Sequence, residues 1–549
     1  MGVLTGVLGV VDWVVVALYF GAVFAVAVWA TLRERRARGD ASADSADYFL
    51  AGRNVGWFVI GASLFASNIG SEHLVGLAGT GASRGFAVGQ FEILASLILL
   101  VLGWVFVPFY LRSGVFTMPE FLERRYGPAA RWYLAVISIV GYVLTKISVT
   151  IAAGGLVFEA LMGIDFWTGA LVVVVVTGAY TVFGGLRAVL YTDLLQMFVL
   201  VGGAIAVTAL GLAELGGPGA LLAAAEPGAL SLWKPLSDPD FPWTGILFGA
   251  PILGVWYWCT DQFIVQRVLS AASEDHARRG TIFGGYLKLL PLFLFVLPGV
   301  VAGALARSGR LELPDPDQAL PVLIGALLPV GLRGLVVAGL LAALMSSLSS
   351  VFNSCSTLIT RDVFLVLRPD ATEAQQVRVG RLATVVLVGF GLLWIPMMEL
   401  VSGQLYQYLQ SVQAYISPPV AAVFLLGIAW RGASSAGAIA ALGTGFVLGL
   451  LRLVAELQKA ELGGLARAYA EVNFLHFAVL LFAVCALVLV VVSRFTRAPD
   501  AASIEGLTFG TTPSAPERSP WRRLDARLTL VLLLLVGATW IAFSPLVFG

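Results

Sequence analysis

Charge is scarce in this 549-residue chain: Asp, Glu, Lys and Arg make up 12% of it, about half the share in a soluble globular protein. Histidine and cysteine are scarcer, at three each. Cys259, Cys355 and Cys485 sit in or beside apolar runs and form no metal-ligand spacing. That argues against a zinc centre and against a disulfide framework. No asparagine carries a hydroxyl residue two positions on, so there is no N-glycosylation signal. There is no nucleotide-binding loop and no glycine-rich phosphate cradle, so ATP-driven transport on this chain lacks support. No nucleophile-base pair points to an enzyme, and nothing points to a nucleic-acid partner. No polar segment is long enough to be a soluble domain.

What is abundant is apolar sequence, 59% of the chain. It is organised in runs such as 14–30, 94–107 and 528–535. About 20 mostly apolar residues span a hydrocarbon core as a helix. By that rule fourteen spans are expected, near 10–31, 55–79, 86–111, 132–160, 165–184, 188–213, 243–269, 281–306, 332–364, 379–398, 405–429, 433–454, 471–493 and 526–547. The fold class is therefore all-α integral membrane. The first span exceeds a signal-peptide core and has no basic flank before it, so it is expected to be retained. With the N-terminus outside, cytoplasmic segments hold 24 of the 34 Lys and Arg and external segments 8, while Lys146 and Lys288 fall inside spans. This split satisfies the positive-inside rule. Short external loops without glycosylation signals suit a bacterial inner membrane. Residues 495–525, rich in Ser, Thr and Pro, are expected to be a disordered cytoplasmic loop.

Two spans carry helix-breaking polar centres. Ala66-Ser67-Asn68-Ile69-Gly70 interrupts the second, followed by Ser71, Glu72 and His73. Trp256 to Gln262 interrupts the seventh. Broken helices in corresponding positions of two halves point to a transporter site, and spans two and seven are separated as a repeat of five helices requires.

Ionisable groups at membrane depth cost at least about 2.5–3.5 kcal/mol and mark pathways or partners. Here they are Glu72, His73, Glu92, Lys146, Glu159, Asp193, Asp261 and Lys288. Glu159 reads as interfacial, Asp261 as a cap or ion-pair partner, and Asp193 competes with a helix N-terminal role. Lys146 reads as snorkelling or structural pairing, with a functional role as the alternative. His73, Glu92 and Lys288 lie well inside three different spans and together suit a hydroxylated solute. Tyr257 and Trp258 offer an aromatic face and Gln410 an amide; the competing reading is that these rings only pack or anchor. No buried arginine is expected, which disfavours an anion site. The ninth span carries Ser346, Ser347, Ser349 and Ser350. With carbonyls near Ala66 and Ile69, the hydroxyls of Ser346 and Ser347 form an all-oxygen set for a hard cation such as sodium; close helix packing through small residues is the alternative.

At these residues the chain resembles a known family. The stretches SLFASNIGSEHLVGLAGTGAS from Ser63, GWVFVPFYLRSGVFTMPEFL from Gly103, YTDLLQ from Tyr191 and WYWCTDQFIVQRVLSA from Trp256 carry the resemblance. So do GYLKLLPLFLFVLPG from Gly285, LPVGLRGL from Leu328, LMSSLSSVFNSCSTL from Leu344 and SGQLYQYLQSVQAYISPPVAAVFLLGI from Ser402. They resemble the sodium/glucose cotransporter branch of the sodium:solute symporter family.

The resemblance implies an inverted repeat of two five-helix units, 55–213 and 243–429. These follow a first helix and linker (1–54) and precede two helices (433–493) and a loop with a last helix (495–549). It implies alternating access around a midmembrane site, with substrate contacts at Asn68, His73, Glu92, Tyr257, Trp258, Lys288 and Gln410. Leu77, Phe91 and Tyr406 would form the outer gate and Tyr257 the inner one. Sodium would be held by carbonyls of Ala66, Ile69 and Ala343 and hydroxyls of Ser346 and Ser347. A second sodium would lie by Asp193, Ser349 and Ser350. Gly254, Gln413 and Ile93 depart from the usual glucose-carrier residues, which leaves myo-inositol as an alternative solute. The reading is sodium-driven symport of a hexose, one or two ions per sugar with two favoured, by a monomer. A symporter of another polar solute and an uncoupled sensor or channel remain open.

Overall fold

The computed structural model describes residues 7–38, 53–70, 72–115, 117–184, 186–401, 403–511 and 521–548, with the backbone alone at 27, 30–38, 72, 179–184, 186–194 and 399. Among the described residues the chain is helical throughout, apart from loops and two isolated β-bridges, Val55 with Ala271 and Lys234 with Pro242. Ten helices among them are long and apolar enough to cross a membrane. Four shorter apolar helices accompany them: Val10–Val26, Trp57–Asn68, Phe166–Gly178 and Gly245–Thr260. Two of these are short because the polar breaks seen in the sequence end them, at Ile69 and at Asp261.

Eight helices position the site: α1 (Val10–Arg38), α2 (Trp57–Asn68), α3 (Ala78–Arg84), α4 (Gln90–Val101), α5 (Pro128–Tyr142), α6 (Glu274–Leu287), α7 (Leu332–Thr357) and α8 (Leu405–Ala429). Burial separates core spans from peripheral ones. The most apolar stretch within Leu332–Leu367 is 89% buried and that within Arg522–Phe548 only 17%. A helix apolar all round that still faces outward is covered by lipid in a membrane. α7, by contrast, is walled by protein and can afford its serines. α1 is tied to the start of α7 by Asp12, which is fully buried. Its carboxylate accepts from the amides of Gly331 (2.7 Å) and Gly334 (3.0 Å) and pairs with Arg333 at 2.9 Å.

Two expectations are corrected. The segment after residue 495 is not wholly disordered: Ala501–Ile504 is a short helical turn, Leu507 is buried, and Phe509 packs on Phe109 with ring centroids 5.0 Å apart. Arginine is also buried. Arg267 is fully enclosed, its Nε donating to Ser63 Oγ at 3.2 Å and its guanidinium lying 4.6 Å from the Phe263 ring centroid. The sequence reading missed it because the helix-breaking Asp261 starts a second, inward-packed helix, Gln262–Leu269, in a stretch that looks like a span border.

Candidate functional site

The break in the second span sets the geometry. α2 carries its ladder to Ile69, whose amide bonds to the Phe65 carbonyl at 2.9 Å. The Gly70 amide then turns back to the Asn68 carbonyl, and the amides of His73 and Leu74 both use Gly70. The chain re-enters helix as a wide π turn, Glu72–Leu77. Such turns occur often at functional sites, and two more sit here, Val143–Ile147 and Val255–Thr260. The three carry His73, Lys146, Tyr257 and Trp258. α6 ends where Lys288 caps it, ahead of Pro291, and this stop aims the lysine inward.

Asn68 is the hub. Its Nδ2 donates to the Tyr257 hydroxyl at 2.8 Å, and its Oδ1 accepts from the Lys288 ammonium. Lys288 also pairs with Glu92, whose other oxygen lies 3.0 Å from His73 Nε2. Asn68, His73, Glu92 and Lys288 are all buried, at 1–4% exposure. The Glu92 bond engages His73 Nε2, and the ring's other polar atom is Nδ1. It is buried and has no hydrogen-bond partner among the described residues. Gln410 donates to the Tyr406 hydroxyl at 2.8 Å.

These residues converge on a cavity of about 60 Å³, room for roughly four waters. Asn68, His73, Glu92, Tyr257, Trp258 and Gln410 line it, with Lys146, Gly254 and Gln413. Lys288 does not line it; it stands behind the wall and holds Asn68 and Glu92 in place. Phe91 and Tyr406 close one end, their rings 5.8 Å apart, with His73 6.3 Å from Tyr406. Leu77 is fully buried and does not reach the cavity.

At the other end the sequence reading left Lys146 between roles, and the structure gives it a definite place. Its amine donates to the Tyr257 hydroxyl at 2.7 Å and lies 4.1 Å from the Phe263 ring centroid. Below it Tyr142 donates to Asp261, which caps the next helix through the Phe263 amide at 3.0 Å. No local pattern announces this contact: Lys146 and Tyr257 are 111 residues apart.

Ser347 of α7 faces α2. Ser347 Oγ donates to the Ser67 carbonyl at 3.3 Å, next to Ala66, and Ser346 and Ala343 are buried beside it. The groups offered at this junction are carbonyl and hydroxyl oxygens, which suits a hard monovalent cation. One turn on, the hydroxyls of Ser349 and Ser350 are buried and have no hydrogen-bond partner among the described residues. Asp193 lies where only backbone is described, so its part in the second set falls outside the described side chains.

A family model, the sodium:solute symporter family, matches residues 48–445. The chain belongs to this family. It is a multi-pass membrane transporter and not an enzyme. Sodium/glucose cotransporter 4 of Mus musculus is 40% identical over 91% of this chain and 78% of its own length. The sodium/mannose cotransporter of Bos taurus is 43% identical over 92% of this chain and 90% of its own. A solved sodium-coupled sialic acid symporter in a substrate-bound, outward-open state has the same fold, with a TM-score of 0.72 at 22% identity, covering 89% of this symporter and 99% of that chain.

Proposed function

We propose that this symporter accumulates a hexose by coupling it to sodium entry. The observation that carries the reading is the hydrogen-bonded set around the cavity. Asn68, Glu92, His73 Nδ1 and Gln410 present donors and acceptors beside the rings of Tyr257 and Trp258. A sugar needs such a mix of directional polar groups and an apolar face. The relatives named for glucose and mannose cotransport support a hexose. Gly254 and Gln413 both line the cavity, so they are positions at which this chain sets its own sugar preference, and myo-inositol stays within reach of the same groups.

Coupling runs through α2. Sodium among the carbonyls of Ala66, Ile69 and Ala343 and the hydroxyls of Ser346 and Ser347 joins α2 to α7. Asn68, inside that loop of carbonyls, then meets the sugar in a fixed orientation. An ion that favours one state of the break raises sugar affinity there, and linkage makes the effect reciprocal. Tyr257 seals the cytoplasmic side and Phe91, Leu77 and Tyr406 the outer side. Fourteen spans with the N-terminus outside a bacterial inner membrane, an inverted repeat over 55–213 and 243–429, and a monomeric working unit complete the proposal. The Ser349 and Ser350 hydroxyls, without a hydrogen-bond partner among the described residues, favour a second sodium with Asp193. One charge crossing roughly 150 mV down a tenfold gradient yields about 5 kcal/mol, enough for a sugar gradient of a few thousandfold.

Uptake of radiolabelled glucose, galactose, mannose and myo-inositol into proteoliposomes, with and without an inward sodium gradient, tests this. Sodium-dependent accumulation of at least one hexose is expected. Accumulation that ignores sodium, or is confined to a non-sugar solute, refutes it.

A further inference from the structure

Two loop carboxylates remain outside this account, both buried where loop aspartates are ordinarily solvated. Asp317 is 3% exposed and Asp240 7%. They meet one element, the first turn of α8, which carries the gate residue Tyr406.

α8 starts at Gln404 without a side-chain cap of its own. Asp317, from a loop 88 residues away, supplies it: Oδ2 accepts from the Leu405 amide at 2.8 Å. Its other oxygen lies against Gly79 of α3, where a Cβ would stand 2.1 Å from Oδ1. On the opposite flank Asp240 Oδ1 accepts from Gln407 Nε2 at 2.5 Å, and Oδ2 pairs with Arg84 of α3 at 2.8 Å. Asn473 holds that loop through the Asp240 carbonyl at 3.0 Å. Between the two carboxylates, Gln404 donates to Ser83 Oγ at 2.6 Å, and Gly76 leaves room for Tyr406, whose backbone nitrogen would lie 3.0 Å from a Cβ there. Asp240 thus bonds its external loop to α8 and α3 at once, while Asp317 bonds to α8 and packs on α3 through an Oδ1 that has no hydrogen-bond partner among the described residues.

We propose that Asp240 and Asp317 are positioning residues of the outer gate: they clamp the first turn of α8 onto α3, so that Tyr406 is held over the cavity. The proposal rests on the outer-gate reading above. Opening requires both bridges to part. Asp317 makes the clamp proton-sensitive. Burial pushes its carboxyl up to about 7, the Leu405 amide opposes this, and Asp315 on the same loop adds to it. No charged side chain of α3 or α8 acts on it among these influences. Once the clamp opens to water the carboxyl returns toward its ordinary range near 4. The closed state therefore takes up a proton between about pH 4 and 7, so acidification of the outer bath favours closure and raising the pH through 7 favours opening.

The test uses the full chain in proteoliposomes with a reporter, Ala95→Cys, on the cavity wall, and a membrane-impermeant thiol reagent added from the loop side. Asp317→Ala is expected to raise the labelling rate about fivefold, the equivalent of a lost helix cap of ~1 kcal/mol, and Asp240→Ala to raise it through loss of the Gln407 and Arg84 contacts. In the parent, labelling slows as the outer pH falls from 8 to 5. In Asp317→Asn, which keeps the size and the acceptor, labelling does not vary with pH. That isosteric variant keeps the proposal testable where alanine fails to fold. Labelling unchanged by the alanine variants, or a pH response that survives in Asp317→Asn, overturns the clamp. Sodium-driven uptake measured on the same vesicles separates this from failure of the transport reading, because intact uptake with unchanged labelling sinks the clamp alone.

Discussion

Lys288→Met should be far more damaging than its loss from the cavity lining suggests, and a second substitution should repair part of the damage. The Lys288 and Glu92 side chains are 1% and 4% exposed and form an ion pair. Methionine keeps the stem volume but leaves Glu92 as a buried carboxylate with His73, at 3.0 Å, as its remaining partner. It also strips a donor from Asn68 Oδ1. Breaking one side of a buried pair costs ~3–5 kcal/mol. The remaining His73 contact offsets part of this, which places the expectation near the lower end, about 3 kcal/mol. Replacing both ends, as in Glu92→Gln with Lys288→Met, removes the uncompensated charge and is often close to neutral. The assay is a double-mutant cycle on purified protein, with unfolding free energies from denaturant titration in mixed micelles. The double variant should be more stable than Lys288→Met alone, with a coupling of at least about 2 kcal/mol against an additivity error of about 0.5 kcal/mol. If the two single effects simply add, the pair is not a unit and the account of Lys288 as the support behind Asn68 and Glu92 fails.

Lys146→Met removes the amine that donates to the Tyr257 hydroxyl. A charged hydrogen bond contributes ~1.5–3 kcal/mol, so sugar efflux in the absence of sodium should rise by at least about tenfold, read by loss of preloaded label from vesicles. An unchanged leak means that Lys146 does not hold the inner gate. Ser347→Ala should raise the sodium concentration for half-maximal uptake several-fold, while Gln410→Ala should raise that for sugar and move the sodium value less. Equal shifts of both constants in both variants would contradict separate sites. Ser349→Ala with Ser350→Ala should lower the ratio of charge to sugar from two to one, measured by parallel current and tracer flux. A parent ratio of one already excludes the second ion.

What could be read in the sequence depended on whether hydrocarbon or loop surrounded a residue. His73, Glu92 and Lys288 stood out because a charge within an apolar run has no solvent to explain it. The breaks at Ile69 and Asp261 stood out because Asn, Gly, Ser and Asp interrupt apolar periodicity. Asp240 and Asp317 gave no such signal, since a carboxylate in a Pro-rich loop looks solvated until packing buries it. Lys146 was visible but ambiguous, because its partner Tyr257 belongs to another span and only the fold brings the two together. The departure of Lys288 from the cavity wall was equally hidden: sequence ranks residues by type and depth, not by which of two neighbours stands in front.

The hydrogen-bond order around Asn68 explains why sodium and sugar can be coupled over so short a path. Its backbone lies between the Ala66 and Ile69 carbonyls, and Ser347 bonds to the adjoining Ser67 carbonyl, so any ion that draws α7 toward the break acts on the residue's own peptide planes. Its side chain ends in two bonds of different destination, one to Tyr257 and one to Lys288, which also pairs with Glu92. His73, which completes the Glu92 network, packs against Tyr406, and Tyr406 lies between Leu405, which donates to Asp317, and Gln407, which donates to Asp240. In the proposed cycle Asn68 thus lies at the ion-binding break and the sugar cavity, bonds directly to the inner-gate residue Tyr257, and reaches the outer-gate residue Tyr406 through Lys288, Glu92 and His73. The asymmetry lies in how those gates are fastened. The proposed inner gate includes the bonds that Asn68 and Lys146 donate to the Tyr257 hydroxyl. The proposed outer gate depends on Asp240 and Asp317, and Asp317 is the one whose buried carboxyl meets solvent with a changed proton affinity when the clamp parts. A fall in external pH therefore reaches the outer gate directly and the inner one only through Asn68, so the order in which the gates respond to acid reports which of them limits the cycle.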